Sequence, residues 1–360
     1  MTRPISLTIH TGALEHNLDR VIECAHGRTV WAVVKANAYG HGIENAVKGF
    51  AKADGFALLE IAEARRARAA GWKKRILLIE GFFDADDLGE LEALGVETLV
   101  HNREQIELLK NTRHTDLKVH LKLNSGMNRL GFDPNEAAAV IDEINAIKGV
   151  SVVGIVTHFA NSERNAQGEG YVSVAEQLER MKPVLERKDV ELCLANSAAT
   201  MLQPAVKGVA VRAGIVLYGV SPDKSISEES LGIEPAMTLA ARIIAVREVA
   251  AGDAVGYGSR WRAEKPTRVA VVACGYADGY PRSMPDGTPV WVEGKTAPIV
   301  GAVSMDMLTI DVTDVPEAHV GSVVELWGRH VSVNDIASLC GTIGYELIVG
   351  VAHRVPVVAD

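Results

Sequence analysis

Ala32-Val33-Val34-Lys35-Ala36-Asn37-Ala38-Tyr39-Gly40-His41-Gly42 is a short apolar run that stops on a lysine and then turns over glycines. An ammonium buried without a partner is costly. A lysine that ends such a strand either escapes to solvent or faces a pocket that uses it, and the surrounding sequence decides between the two. Working outward, 30–34 is the first of eight β-branched runs in the leading 215 residues. The others are 56–59, 76–79, 98–100, 119–123, 152–157, 192–194 and 209–211. Most are separated by amphipathic stretches. Residues 60–70 are rich in Ala, Arg and Glu, good helix formers. Residues 84–93 open on acids, as helix N-termini prefer. Residues 102–109 and 135–147 space apolar side chains at i, i+3 and i+4. Residues 171–187 read as a helix that kinks or ends near Pro183. Alternating strands and helices mean a parallel sheet, and eight such units are the count that closes a (β/α)8 barrel. A doubly wound open sheet accommodates the same count.

The ends of the strands favour the barrel. Strand five runs into Lys122 and then Arg129, strand six ends at His158, strand seven is followed by Ser197, and strand eight ends at Arg212 before Gly214 and Ile215. Each has an ordinary explanation alone: a core histidine, a surface arginine, a helix cap. In a barrel they share one rim, the C-terminal mouth, where polar strand-end residues read as catalytic. A lysine in a poorly solvated pocket has a lowered pKa and becomes a nucleophile toward an aldehyde. Loops after the last two strands commonly hold a phosphate, and a helix N-terminus near Ser197 suits an anion. An amine, a phosphate cradle and an arginine together suit pyridoxal 5'-phosphate.

After about residue 221 the texture changes. A polar, turn-rich linker leads into strand candidates at 239–246, 268–273, 289–292, 308–312 and 323–326, with one short helix at 333–339. We read an α/β protein: residues 10–230 form a TIM-like (β/α)8 barrel, and residues 231–360 form a second, mostly antiparallel β domain. The alternating strand within 1–9 joins that second domain. The 360 residues fit roughly two domains at about 150 residues each.

Composition excludes several classes. With 37 basic and 46 acidic residues the formal charge is −9, which argues against nucleic acid and gains nothing at an anionic membrane. No apolar run approaches the length of a membrane span. The start, Met1-Thr2-Arg3-Pro4-Ile5, has no apolar signal region. The four cysteines are scattered with no Cys-x-x-Cys, so a reducing, cytoplasmic setting is expected. Histidine spacing offers no metal site.

With these residues on the page, the chain resembles the alanine racemases, pyridoxal phosphate enzymes of barrel-plus-β-domain build. The likeness runs from Ala32 to Pro356. It rests on the opening stretch, on Ser125-Gly126-Met127-Asn128-Arg129-Leu130-Gly131, Thr157-His158-Phe159 and Arg212-Ala213-Gly214-Ile215-Val216-Leu217-Tyr218-Gly219, and on Val255-Gly256-Tyr257-Gly258, Gly275-Tyr276-Ala277-Asp278-Gly279-Tyr280 and Ser304-Met305-Asp306-Met307. The resemblance implies that Lys35 carries the cofactor and, once freed, takes the α-proton from D-alanine, while Tyr257 takes it from L-alanine on the opposite face. It implies that Tyr39, Ser197, Gly214 and Ile215 hold the phosphate, that Arg212 faces the pyridine nitrogen, and that Arg129 and Met305 contact substrate. It implies a head-to-tail homodimer in which Tyr257, Tyr276 and Met305 reach the partner's barrel.

Relatives often carry Asp-Thr-Gly-Met where this chain has Asn124-Ser125-Gly126-Met127. Many place a phosphate-contacting Tyr just before Arg-Val-Pro, where this chain has His353. Lys122 matches a lysine carbamylated in several relatives. A phenol is a poor base at neutral pH, so a nearby cation must favour its ionised form; His158 and Arg212 are candidates for that relay. Rival readings are a non-enzymatic pyridoxal phosphate carrier, which lacks the β domain, a decarboxylase of the same barrel class, and a racemase of broader specificity.

Overall fold

The computed structural model describes residues 3–163, 170–206 and 208–360. Strand β1 (Ile5–Ile9) and helix Thr11–Ala25 precede the barrel. Eight parallel strands follow: β2 (Thr29–Val33), β3 (Gly55–Leu58), β4 (Arg75–Leu78), β5 (Glu97–Val100), β6 (Leu117–Lys122), β7 (Val150–Val156), β8 (Glu191–Ala195) and β9 (Ala210–Ala213). They close on themselves through β2 and β9, with Trp31 opposite Arg212. Closure removes the open-sheet alternative. These strands lack a polar face because one side meets the barrel interior and the other the outer helices; all four residues of β3 are buried.

The expected helices appear at Ile61–Ala69, Ala85–Leu94, Arg103–Asn111 and Ala137–Asn145. Asp84 and Asn102 cap the second and third by accepting from the backbone N–H of Asp87 and Gln105. The stretch before Pro183 breaks as its composition suggests: Val174–Arg180 ends, and a short helix Lys182–Leu185 begins with the proline in its first turn, where the missing N–H is harmless.

The N-terminal end of the barrel is plugged by polar side chains. Arg75 donates to both carboxylate oxygens of Glu97, at 2.7 and 2.8 Å, and to Glu191 at 2.8 Å. Its guanidinium also lies over the Trp31 ring. His120 lies 2.7 Å from Glu97.

The second unit is a sheet. Its strands are β10 (Met237–Val249), β11 (Ala254–Val255), β12 (Trp261–Arg262), β13 (Thr267–Val272), β14 (Pro289–Val292), β15 (Lys295–Pro298), β16 (Leu308–Asp311), β17 (Val323–Trp327) and β18 (Val357–Ala359). The main path runs β15-β14-β17-β10-β1-β18, with β13 and β16 branching from β10 and the β11–β12 hairpin apart. Strand β1 pairs antiparallel with β10, Ile5 opposite Ala241, and parallel with β18. The chain's first strand therefore belongs to the second sheet. Helix Val333–Leu339 stands where its sequence put it, and a second helix, Gly344–Val349, follows. That helix returns to the barrel mouth, where a Cβ on Gly40 would collide with the Ile348 carbonyl. Among the described residues no helix is long and apolar enough to cross a membrane.

Candidate active site

A cavity of about 610 Å³ opens at the C-terminal mouth of the barrel. Lys35, Tyr39, Lys122, Arg129, His158, Ser197, Arg212, Gly214 and Ile215 all line it. The fold thus gathers every rim candidate around one space. A second cavity of about 550 Å³ lies by the linker and Trp327, but Glu228, Glu229, Glu234 and Asp335 line it, an unfavourable setting for an anionic ligand.

Lys35 follows β2 after a single residue, Val34. The four residues after it, Ala36, Asn37, Ala38 and Tyr39, have φ of 52°, 53°, 54° and 51°. This is a left-handed turn built without glycine. It swings Tyr39 back over the barrel, where its ring stacks on Tyr218 with centroids 4.7 Å apart. Tyr218 in turn donates to the Val33 carbonyl at 2.8 Å.

On the opposite side, Asn196 caps helix Ser197–Leu202 through the Ala199 N–H at 2.9 Å. The Gly214 N–H donates to the Ser197 hydroxyl at 2.8 Å. A Cβ on Gly214 would stand 2.7 Å from the Tyr39 hydroxyl oxygen. The hydroxyls of Tyr39 and Ser197 and the amide of Gly214 thus converge on a cradle that admits only glycine at its centre.

Arg212 is buried, and its donors go to neutral groups: the Cys193 carbonyl at 2.9 Å, the Cys193 thiol at 3.2 Å, the Thr157 carbonyl at 2.8 Å and His158 Nδ1 at 3.3 Å. Burial, then the charges of Arg129 and Arg212, lower the Lys35 pKa; Glu80 opposes them. Burial and the same two arginines push Lys122 well below the ordinary range. Burial and Arg212 bring His158 down to about 2. His158 is therefore neutral. Nδ1 accepts from Arg212, so the ring proton sits on Nε2. Of the two residues expected to favour a phenolate, Arg212 carries the charge and His158 does not.

Tyr257, Tyr276 and Met305 are not among the residues lining this cavity. They are 71%, 38% and 53% exposed on the second unit. Backbone bonds from Tyr276 to Ser304 (3.0 Å) and from Ala277 to Met305 (2.9 Å) join two of the loops that carry them.

His353 is exposed and lies outside the cavity lining, so the expected substitution at a phosphate contact does not arise there. The phenol that reaches the mouth from the C-terminal segment is Tyr345, with its ring 6.2 Å from that of Tyr39. Sequence reading missed it. Its six-residue helix, Gly344–Val349, is too short to show periodicity.

The residues present fit pyridoxal phosphate. They supply an amine with a lowered pKa, an amide-and-hydroxyl cradle that a Cβ on Gly214 would crowd, and a guanidinium with no carboxylate among its hydrogen-bond partners in the described residues.

Fold and cavity define a two-unit barrel enzyme with a half-buried amine at its mouth. The family model for the alanine racemase N-terminal domain matches residues 9–222, and that for the alanine racemase C-terminal domain matches residues 236–359. An alanine racemase of Erwinia tasmaniensis is 48% identical over 359 residues, 99% of both chains. A catabolic alanine racemase of Klebsiella aerogenes is 45% identical over 360 residues, 99% of both. The solved structure of the biosynthetic alanine racemase of Pseudomonas aeruginosa superposes with a TM-score of 0.94 at 44% identity, covering 100% of each chain. The chain belongs to the alanine racemase family.

Proposed function

We propose that this protein interconverts L- and D-alanine with pyridoxal 5'-phosphate at the barrel mouth, acting as a cytoplasmic head-to-tail homodimer. Residues 10–230 are the cofactor-binding unit, and 231–360 with 1–9 are the unit that serves the partner. The observation that carries this reading is Lys35, a half-buried amine of lowered pKa set between the Tyr39–Ser197–Gly214 cradle and Arg212.

When bound, the cofactor supplies an electron sink that makes the α-proton of an amino acid removable. Lys35 holds or takes the proton on one face. Tyr257 of the partner subunit does so on the other. Its exposure, and its absence from the cavity of its own chain, support a role in trans. Two fixed bases spare either one a movement across the substrate plane. Neutral His158 passes the influence of Arg212 toward that phenol. Tyr39, Ser197, Gly214 and Ile215 hold the phosphate. Arg129 orients the substrate carboxylate, with Met305 and Tyr276 of the partner subunit bounding the methyl pocket. Lys122, its pKa pushed well down by burial and by Arg212 and Arg129, is a readier nucleophile than an ordinary lysine; its carbamylation would give Arg129 an anionic partner. Arg212 has no acceptor, so it would only donate to the ring nitrogen of a bound cofactor, which would make a weaker electron sink and disfavour transamination. None of the four cysteines forms a disulfide, in keeping with a reducing compartment.

Solvent-deuterium incorporation into each alanine enantiomer tests the reading in wild type, Lys35→Ala and Tyr257→Phe. Each variant is expected to lose exchange mainly from one hand. Equal residual exchange from both hands in Tyr257→Phe refutes the two-base assignment.

A further inference from the structure

The left-handed turn after Lys35 does not hold itself. For L-residues this conformation costs about 1–2 kcal/mol each, and four stand in a row. Two buried side chains brace it. Glu63 accepts the Asn37 N–H at 2.6 Å. His41 is fully buried, with Nδ1 3.2 Å from the Ala38 carbonyl oxygen and 3.0 Å from that of Tyr39. Carbonyls only accept, so Nδ1 carries the proton. Nε2 is buried without a partner among the described residues, so a second proton there has no acceptor. Burial accordingly takes the ring down to about 4. The ring also lies 4.6 Å from Tyr218, the same aromatic that stacks on Tyr39.

We propose that His41 is a positioning residue for the barrel-mouth site: its single Nδ1–H clasps the carbonyls of Ala38 and Tyr39 and so aims the Tyr39 hydroxyl into the Ser197–Gly214 cradle. The inference rests on the reading of that cradle as the phosphate seat of pyridoxal phosphate and adds a tautomer-specific support to it.

The test is a titration of apoprotein with pyridoxal phosphate, followed by absorbance, in wild type, His41→Leu, His41→Asn, Tyr39→Phe and the Tyr39→Phe/His41→Leu double variant. Leucine fills the space without a donor. Asparagine can present an amide N–H near the place of Nδ1. His41→Leu should weaken cofactor binding about tenfold, the scale of one lost hydrogen bond, and His41→Asn should restore most of it. In the Tyr39→Phe background the same change should cost no more than about threefold, because the hydroxyl it aims is gone and coupled residues do not add. An equal loss in both backgrounds overturns the proposal, as does wild-type binding by His41→Leu. A wild-type protein that binds no pyridoxal phosphate refutes the underlying reading instead. Should His41→Leu fail to fold, ¹⁵N spectra of the wild-type holoenzyme decide. A neutral Nδ1–H ring at pH 7 is expected; an Nε2–H tautomer or an imidazolium there overturns the clasp.

Discussion

Ala36 is exposed, yet its φ is 52°. Glycine would relieve a left-handed cost of about 1–2 kcal/mol, offset by about 0.5–1 kcal/mol of extra chain entropy. Ala36→Gly should therefore raise stability by roughly 0.5–1 kcal/mol, seen as a higher melting temperature. A lower one would show that the turn is not strained. Gly214→Ala should do the reverse to function, since its Cβ meets the Tyr39 hydroxyl; titration should show weakened pyridoxal phosphate binding with little change in melting. Glu97 gives a pH signature. Burial alone would raise its pKa, but hydrogen bonds from Arg75 and His120 outweigh it and hold the group at about 2. Its contribution is whole above its ordinary value of 4.5 and is lost as pH falls through about 2. Glu97→Gln should cost on the order of 3 kcal/mol at neutral pH, and the gap from wild type should narrow between pH 4.5 and 2 in denaturant titrations. A constant gap would contradict this. At this scale Lys35, His158 and Arg212 were legible because each is a polar group closing an apolar strand. Tyr345 was not, because no strand end marks it. The work of His41 was hidden because it depends on which ring nitrogen bears the proton.

Elements were legible in proportion to their burial. The barrel strands are dominated by buried apolar residues, with polar groups at a few interior positions and strand ends, so most stood out as a run against a charged helix. The two-residue strands β11 and β12 and the edge strands β15 and β18 were missed. Lys295–Pro298 carries a lysine and a proline and buries only Ala297, while Val357–Ala359 is wholly exposed. Such strands exist because a neighbour supplies hydrogen bonds: a hairpin partner for β11, β12 and β15, and for β18 the strand β1, distant in sequence. Helix Ser197–Leu202 shows how an element serves the site. Its cap is Asn196 rather than Ser197, which leaves the serine hydroxyl directed to the Gly214 amide. Asn196→Ala should lower stability by about 1 kcal/mol and also weaken cofactor binding. A loss of stability with unchanged affinity would separate the helix from the cradle.

The whole molecule presents its barrel mouth in one place and Tyr257, Tyr276 and Met305 in another, all three exposed. Two copies arranged head to tail, as proposed, would answer both facts. Mixing Lys35→Ala with Tyr257→Phe subunits should therefore regain activity after exchange, because one site of each hybrid carries both wild-type bases. Mixtures that stay as inactive as the separate variants would place Tyr257 in its own chain's site.

The polypeptide's order of manufacture follows from where β1 finds its neighbours. The last barrel strand ends at Ala213, so the ring can shut while the ribosome still has much of the message to read. Ile5–Ile9, made before the barrel, waits for Met237–Val249 on one edge and for Val357–Ala359 on the other. The wall that Gly344–Val349 lends to the mouth arrives just as late. A ring closed at Ala213 therefore still lacks the part of its doorway that Gly344–Val349 builds.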